Sequence, residues 1–259
     1  MLRTDDLTVT FGGVHALEGL DLSIDTGSFV GLIGPNGAGK TTFIDAVTGF
    51  VPPSRGRVVF GGEDLAGMRP SARAERGLVR TFQSLELFED LTVADNLFVA
   101  ADQPEWWGLL ADAVRPRRRS SAAEQVDWAL DVVGLAAERD ARPSDLSHGR
   151  RKLVGVARAL AARPRLVLLD EPAAGLDTGE TKELGRHLRT LLDHGITVLL
   201  VDHDMGLVLE VCDRVVVLDF GRLIADGAPG AVSADPLVVE AYLGAAAAPT
   251  GDGGGDPRG

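Results

Sequence analysis

FVGLIGPNGAGKTTFIDAVTGF, residues 29–50, joins three kinds of local structure in one stretch. The apolar run Phe29–Ile33 is short and bounded by glycine, which reads as a buried strand. GPNGAGKTT (34–42) fits the pattern G-x-x-x-x-G-K-[ST], and a helix-like segment follows it. In this strand–loop–helix setting Gly34, Asn36, Gly37 and Gly39 form a loop whose backbone N–H groups curl round phosphate oxygens. Lys40 reaches the β/γ oxygens, and Thr41 and Thr42 open the helix, with Thr41 placed to ligate Mg²⁺. The stretch predicts a site for a nucleoside triphosphate and fixes the edge of the sheet at which it binds.

Two further apolar strands end in polar residues. RLVLLDEP (165–172) delivers Asp170 and Glu171. Asp170 is suited to hold Mg²⁺ through water, and Glu171 to take a proton from an attacking water. TVLLVDHD (197–204) delivers His203 in the same way; on its own that residue reads more often as a structural histidine. Strands and helices alternate from residue 165 onward, in the order LVLL, helix 179–192, ITVLLV, helix 204–210, RVVVLD and GRLIADG. Such alternation predicts an α/β fold with a parallel sheet covered on both faces. Ahead of it lie the strands LTVTF, LDLSI and RVVF, with a Gly61-Gly62 turn. Helices are expected in TVADNLFVAA, with Thr92 as N-cap, and in SAAEQVDWALDVVGL, ending at Gly134. The small, polar end AAAAPTGDGGGDPRG reads as disordered.

The chain of 259 residues is 45% hydrophobic and 25% charged, ordinary for a globular protein with a sizeable core. Its net charge of −12 argues against non-specific binding to nucleic acid or to an anionic membrane. No apolar run approaches the roughly 18 residues that a membrane span needs. The opening MLRTDDLTVTF lacks the basic and apolar regions of a signal peptide, and the single cysteine, Cys212, fits a reducing cytoplasm as a small buried side chain.

LSHGRRK (146–152) opens the amphipathic helix LVGVARALAA and makes a second helix start suited to an anion. The order GPNGAGKTT, RTFQ, LSHGRRK, LVLLDEP, AAGLD, VDHD resembles the ATP-binding-cassette ATPases over about residues 2–244. The resemblance implies a P-loop NTPase with a RecA-like, mostly parallel sheet, an N-terminal antiparallel β subdomain and an inserted α-helical subdomain at about 84–160. The cassette would span 1–244, with 245–259 as tail. ATP and Mg²⁺ are the implied cofactors. Gln83 is implied as the glutamine that senses Mg²⁺ and touches a transmembrane partner, Asp177 as the aspartate of the D-loop, and His203 as the histidine on the γ-phosphate. Phe11 is implied to stack on adenine, although by its position alone it reads as a core residue of the first strand. Two subunits of the family bind head to tail, so Ser147 and Gly149 of one would close over ATP held by Lys40 of the other. His148 and Arg150 depart from the usual Leu-Ser-Gly-Gly-Gln, while Ser147 and Gly149 are retained.

RTFQSLELFEDLTVADNL, DEPAAGLD, VDHDM and DPLVVEAYLG resemble the ATP-binding subunit of branched-chain amino-acid uptake systems, whose relatives take urea or amides. The implied partners are transmembrane permease subunits, a second ATP-binding subunit in a homo- or heterodimer, and indirectly a periplasmic or lipoprotein solute-binding protein. The implied location is the cytoplasmic face of the membrane. Trp106 and Trp107 are expected to pack within an insert. Arg115, Arg117, Arg118 and Arg119 are expected on a solvated or lipid-proximal face. An exporter ATPase of the lipopolysaccharide kind is the alternative within this chemistry, and a non-transport cassette is the alternative outside it.

Overall fold

The structure, a computed structural model, describes residues 1–81, 87–101 and 116–247, without the side chains of 116–120 and 243–247. Gln83, Trp106, Trp107, Arg115 and the residues from 248 onward lie outside the described residues, as do the side chains of Arg117, Arg118 and Arg119.

Four strands set the frame: β3 (Phe29–Ile33), β7 (Leu166–Asp170), β8 (Thr197–Val201) and β9 (Arg214–Asp219). They are flanked by β6 (Leu78–Arg80) on one side and β10 (Arg222–Gly227) on the other, in the order β10-β9-β3-β8-β7-β6. All neighbours run parallel except β10, which turns back on β9. Side chains alternate strictly between two cores, as the period of a strand requires. Phe29, Ile33, Val167, Leu169, Val198, Leu200, Val215 and Val217 face one side. Val30, Leu32, Leu166, Leu168, Leu199, Val201, Val216 and Leu218 face the other. Burial on both faces explains why these strands are continuous apolar runs in sequence.

The second face is covered by α1 (Lys40–Thr48) and by a separate antiparallel sheet, in the order β2-β1-β4-β5. Its strands are β1 (Leu2–Phe11), β2 (Val14–Ile24), β4 (Arg55–Phe60) and β5 (Glu63–Asp64). The short α2 (Pro70–Glu75) then leads into β6. The first face is covered by α6 (Thr178–Arg189), α7 (Met205–Val211) and the helical subdomain. That subdomain packs α3 (Val93–Ala101), α4 (Pro116–Val132) and α5 (His148–Leu160) on one another. Thr92 caps α3 as expected, its Oγ1 accepting from the Asp95 N–H at 3.1 Å. The next two free N–H groups, of Val93 and Ala94, donate to the carbonyls of Ala141 and Arg139. Gly134, at φ 71°, follows the end of α4, which begins at Pro116 rather than at Ser121 as its periodicity predicted. Proline is compatible with a first helical turn, so the start carried no apolar signal to read. Two C-terminal helices, α8 (Pro229–Ser233) and α9 (Pro236–Ala247), complete the chain, and α9 runs three residues past the expected end of the cassette at 244. Cys212 is buried at the end of α7, which pushes its thiol up to about 12. Among the described residues no helix is long and apolar enough to cross a membrane.

One buried charge ties α1 to the strand–helix segment after β5. Arg73 is 4% exposed and donates to the carbonyls of Ala46, Val47, Leu65 and Met68 at 2.7–3.2 Å. Arg73→Leu leaves buried carbonyls without donors and should lower the free energy of unfolding by at least about 2 kcal/mol. Urea denaturation followed by far-UV circular dichroism checks this, and an unchanged midpoint would show that water replaces the guanidinium at no cost.

Candidate functional site

The loop between β3 and α1 is held by contacts that only glycine permits. Gly34 (φ 151°) lies so close to β9 that an added Cβ would stand 2.2 Å from the Leu218 carbonyl oxygen. Gly39 (φ 104°) would place one 2.6 Å from the Ala16 carbonyl oxygen, and Gly37 has φ 83°. Gly39 is also the N-cap of α1 and supplies no side-chain acceptor, so the first-turn N–H groups keep their positive pole for an anion. Lys40 Nζ donates to the carbonyls of Gly34 at 2.6 Å and Pro35 at 3.0 Å, lying across the loop. Burial lowers its pKa, and the charges of Glu171 and Asp170 act the other way. Those two acids, expected from sequence, therefore stand beside the loop lysine.

β7 carries Asp170, 4% exposed, to the sheet edge. Its Oδ2 accepts from Arg80 Nη2 at 2.8 Å, and its N–H donates to Thr81 Oγ1 at 3.3 Å. The other arm of Arg80 reaches Asp45, one turn along α1 from Thr41, so the ion pair draws Asp170 toward the helix start that bears Thr41. Thr41 and Asp170 are oxygen donors of the kind Mg²⁺ takes, and phosphate and water fit the rest of an octahedron. Glu171 adopts φ 48°, rare for a non-glycine residue, with its N–H donating to the Val201 carbonyl at 2.7 Å. Parallel pairing sets Val201 of β8 opposite Asp170, which puts His203 just past the same edge. His203 is largely exposed, its Nδ1 3.6 Å from Asp202 Oδ1. Asp202 is 1% exposed and accepts from the N–H groups of Ala173 and Asp204; burial raises its pKa and these bonds partly offset it. Lys152, on α5, is also buried, which lowers its pKa against the charges of Asp202 and Glu171.

A cavity of about 850 Å³ brings His203 together with Gly34, Asn36 and Gly37. Its far wall is α9, where burial raises the pKa of Tyr242, with the Gly34 N–H facing the phenol and acting the other way. Phe11 ends β1 at the tip of the first hairpin and is 52% exposed, which removes the reading as a core residue. The same hairpin touches the loop at Ala16 and Leu17, beside Gly39.

The second anion-type helix start is engaged within the subunit. Ser147 caps α5 by accepting from the Arg150 N–H at 3.4 Å. The Gly149 N–H donates to Glu180 Oε1 at 3.2 Å, and Glu180 Oε2 accepts from the Asp177 N–H at 3.3 Å. Asp177 in turn caps α6, accepting from Gly179 at 2.7 Å and Glu180 at 2.9 Å. Arg150 pairs with Glu138, and the His148 ring lies against Gly175. A second cavity, about 340 Å³, opens between the parallel sheet and α5; Phe50, Leu78, Val79, Arg80, Leu87 and Arg158 are among its walls.

Sequence reasoning missed Arg80, Lys152, Glu180 and Tyr242. For Arg80 the signal was present, a charge three residues before Gln83 and at the end of a strand. For Glu180 it was the Asp177-x-x-Glu180 capping box.

The family model for the ABC transporter matches residues 17–174, and that for the branched-chain amino acid ATP-binding cassette transporter matches 222–248. The chain is 38% identical over 251 residues to the high-affinity branched-chain amino acid transport ATP-binding protein BraF of Pseudomonas aeruginosa, covering 95% of this chain and 98% of that one. It is 35% identical over 243 residues to the lipopolysaccharide export system ATP-binding protein LptB of Escherichia coli, covering 94% and 97%. Among solved structures, the ADP conformation of MJ1267, an ATP-binding cassette of an ABC transporter, superposes with a TM-score of 0.83 at 33% identity, covering 94% and 98%.

Gly34→Ala tests the loop geometry. The methyl group must displace either the loop or the Leu218 carbonyl, and strain of about 1–3 kcal/mol should weaken ATP binding by roughly 5- to 150-fold in a protein that still folds. Fluorescent ATP-analogue titration with a melting curve checks it; unchanged affinity would mean the loop moves freely.

Proposed function

We propose, from the premise that the chain belongs to the ABC transporter ATP-binding family and is an ATPase, that it energises uptake of branched-chain amino acids through a membrane permease. The match of residues 222–248 to a model specific for branched-chain amino acid cassettes carries this choice of substrate over lipopolysaccharide export. On this reading the chain sits at the cytoplasmic face of the membrane. The apolar walls of the cavity at Phe50, Leu78 and Val79 offer a seat for a short permease helix, beside the segment that holds Gln83.

The geometry of the loop and the sheet edge supports the following roles, and the family resemblance supplies that of Gln83. Backbone N–H groups from Gly34 to Gly39, with the first turn of α1, hold the phosphates, and Lys40 exchanges two loop carbonyls for phosphate oxygens. Thr41 and Asp170, with Gln83 as the resemblance implies, would hold Mg²⁺, which would supply neutralising charge to the phosphates. Glu171 accepts the proton of the attacking water, and His203 donates to the γ-phosphate from the sheet edge. Phe11 offers its exposed ring to adenine. Ser147, Gly149 and Asp177 serve the nucleotide of a second cassette, which must first draw the Gly149 N–H away from Glu180.

Glu171→Gln should keep ATP binding and lose about 10²–10⁴-fold in turnover. In the source cells, loss of the chain should abolish low-concentration uptake of labelled leucine, and the Glu171→Gln form should fail to restore it. Normal leucine uptake in the deletion strain would overturn the substrate assignment.

The shared site separates by variant. Lys40→Ala should not bind ATP as a monomer, whereas Ser147→Arg should bind it normally and fail to hydrolyse it. If homodimers form, mixing the two restores one intact composite site and measurable hydrolysis. A Ser147→Arg monomer that binds ATP as poorly as Lys40→Ala would place the motif in the same subunit's site.

A further inference from the structure

We propose that Arg80 is an internal counter-cation for Asp170, holding the metal carboxylate until Mg²⁺ arrives with nucleotide and linking it to the cleft that Arg80 also lines. The inference rests on the reading of Asp170 as a metal ligand.

Arg80 is the last residue of β6 and one strand away from Asp170, β6 pairing directly with β7. Its guanidinium forks, Nη2 to Asp170 at 2.8 Å and Nη1 to Asp45 on α1. The arginine side chain is 12% exposed and that of Asp170 4%. At this burial the pair is screened little by salt, so the charge of Arg80 bears directly on what else Asp170 binds. A planar fork suits two carboxylates at once, which a lysine cannot span.

The arrangement has two states built in. A divalent cation at Asp170 repels the guanidinium, and Asp45 keeps it from being stranded without a counter-charge in a buried place. Asp45 thus lets Arg80 leave Asp170 without unfolding the edge. Because Arg80 and Thr81 also form part of the cleft wall, whatever fills that cleft acts on the same side chain. Thr81 adds a second link, since its Oγ1 accepts from the Asp170 N–H while its own N–H donates to the Leu168 carbonyl at 2.9 Å. The metal carboxylate and the docking cleft are therefore one residue apart at two consecutive positions, immediately before the segment that contains Gln83.

The test measures Mn²⁺ binding to the full chain without nucleotide, by the electron paramagnetic resonance signal of free Mn²⁺ at low ionic strength. Arg80→Gln and Arg80→Met should each bind one Mn²⁺ at least about tenfold more tightly than the parent, because a buried positive charge beside the ligand is gone. Adding Asp170→Asn should abolish that gain, placing it at this carboxylate. With ATP present in the Glu171→Gln background the gain should shrink to less than about threefold, since phosphate charge then dominates. Unchanged or weaker nucleotide-free Mn²⁺ binding in folded variants overturns the proposal. Failure of both neutral variants to fold also overturns it, marking Arg80 as a strut that is never released. ATP binding by the parent in the presence of Mg²⁺ separates the two layers. Its absence would remove the nucleotide-site reading itself, whereas ATP binding with no Mn²⁺ effect removes only the role of Arg80.

Discussion

The phosphate loop is wedged. Gly34 backs onto the end of β9 at the Leu218 carbonyl, and Gly39 onto the first hairpin near its tip, at Ala16. A loop that tight needs β9 to end and β2 to begin beside it, so its geometry aligns the carboxyl ends of β3 and β9 with the N-terminal sheet. Lys40 completes the wedge by bonding the carbonyls of Gly34 and Pro35. Those bonds satisfy the ammonium while it is half-buried, and on the proposed reading they are the contacts that phosphate oxygens would replace. The energetic cost of loading the site is thereby small, because one set of charge-assisted bonds is exchanged for a stronger one.

Much of this was legible in the sequence, for physical reasons. Strands buried on both faces must be apolar at nearly every position, so Phe29–Ile33, Leu166–Asp170 and Thr197–Val201 announce themselves, and the polar residues at or just past the ends of the last two, Asp170 and Asp202, must lie at a shared edge. Glycine loops are equally visible, since positive φ and close approach leave few other residues possible. What stayed hidden were pairings between residues far apart in the chain. Arg80 meets Asp170 across 90 positions, and Gly149 meets Glu180 across 31. A charge in a sequence carries no mark of the partner it will find. Phe11 was ambiguous for a different reason, because an aromatic at a strand end reads alike whether the strand stops in the core or at a hairpin tip.

The two helix starts suited to anions are not in the same condition. That of α1 has a glycine cap and no acidic residue in its first turn, so its positive pole faces the loop with nothing of its own to neutralise it. That of α5 is quenched by Ser147 and Glu180 from within the subunit. The difference in charge is what a shared site needs. A primary site must attract a polyphosphate to a lone cassette, whereas a closing site should engage only when a γ-phosphate is brought to it already bound. On the proposed shared-site reading, Glu180 sets that threshold, since its carboxylate must be displaced before the Gly149 N–H is free.

Departures within LSHGRRK fit the same logic. Arg150 stands where an uncharged glutamine is usual, and an unpaired guanidinium there would make α5 a strong anion site in its own right. Glu138 cancels that charge, and Arg151 is likewise paired with Glu89. His148, in place of a glycine, turns toward Gly175 in the segment that leads to Asp177, a contact that a larger residue at 175 would crowd. Each substitution has its answering residue on the same face of the subunit. The motif therefore keeps an internally bonded surface, with the charges of Arg150 and Arg151 both paired.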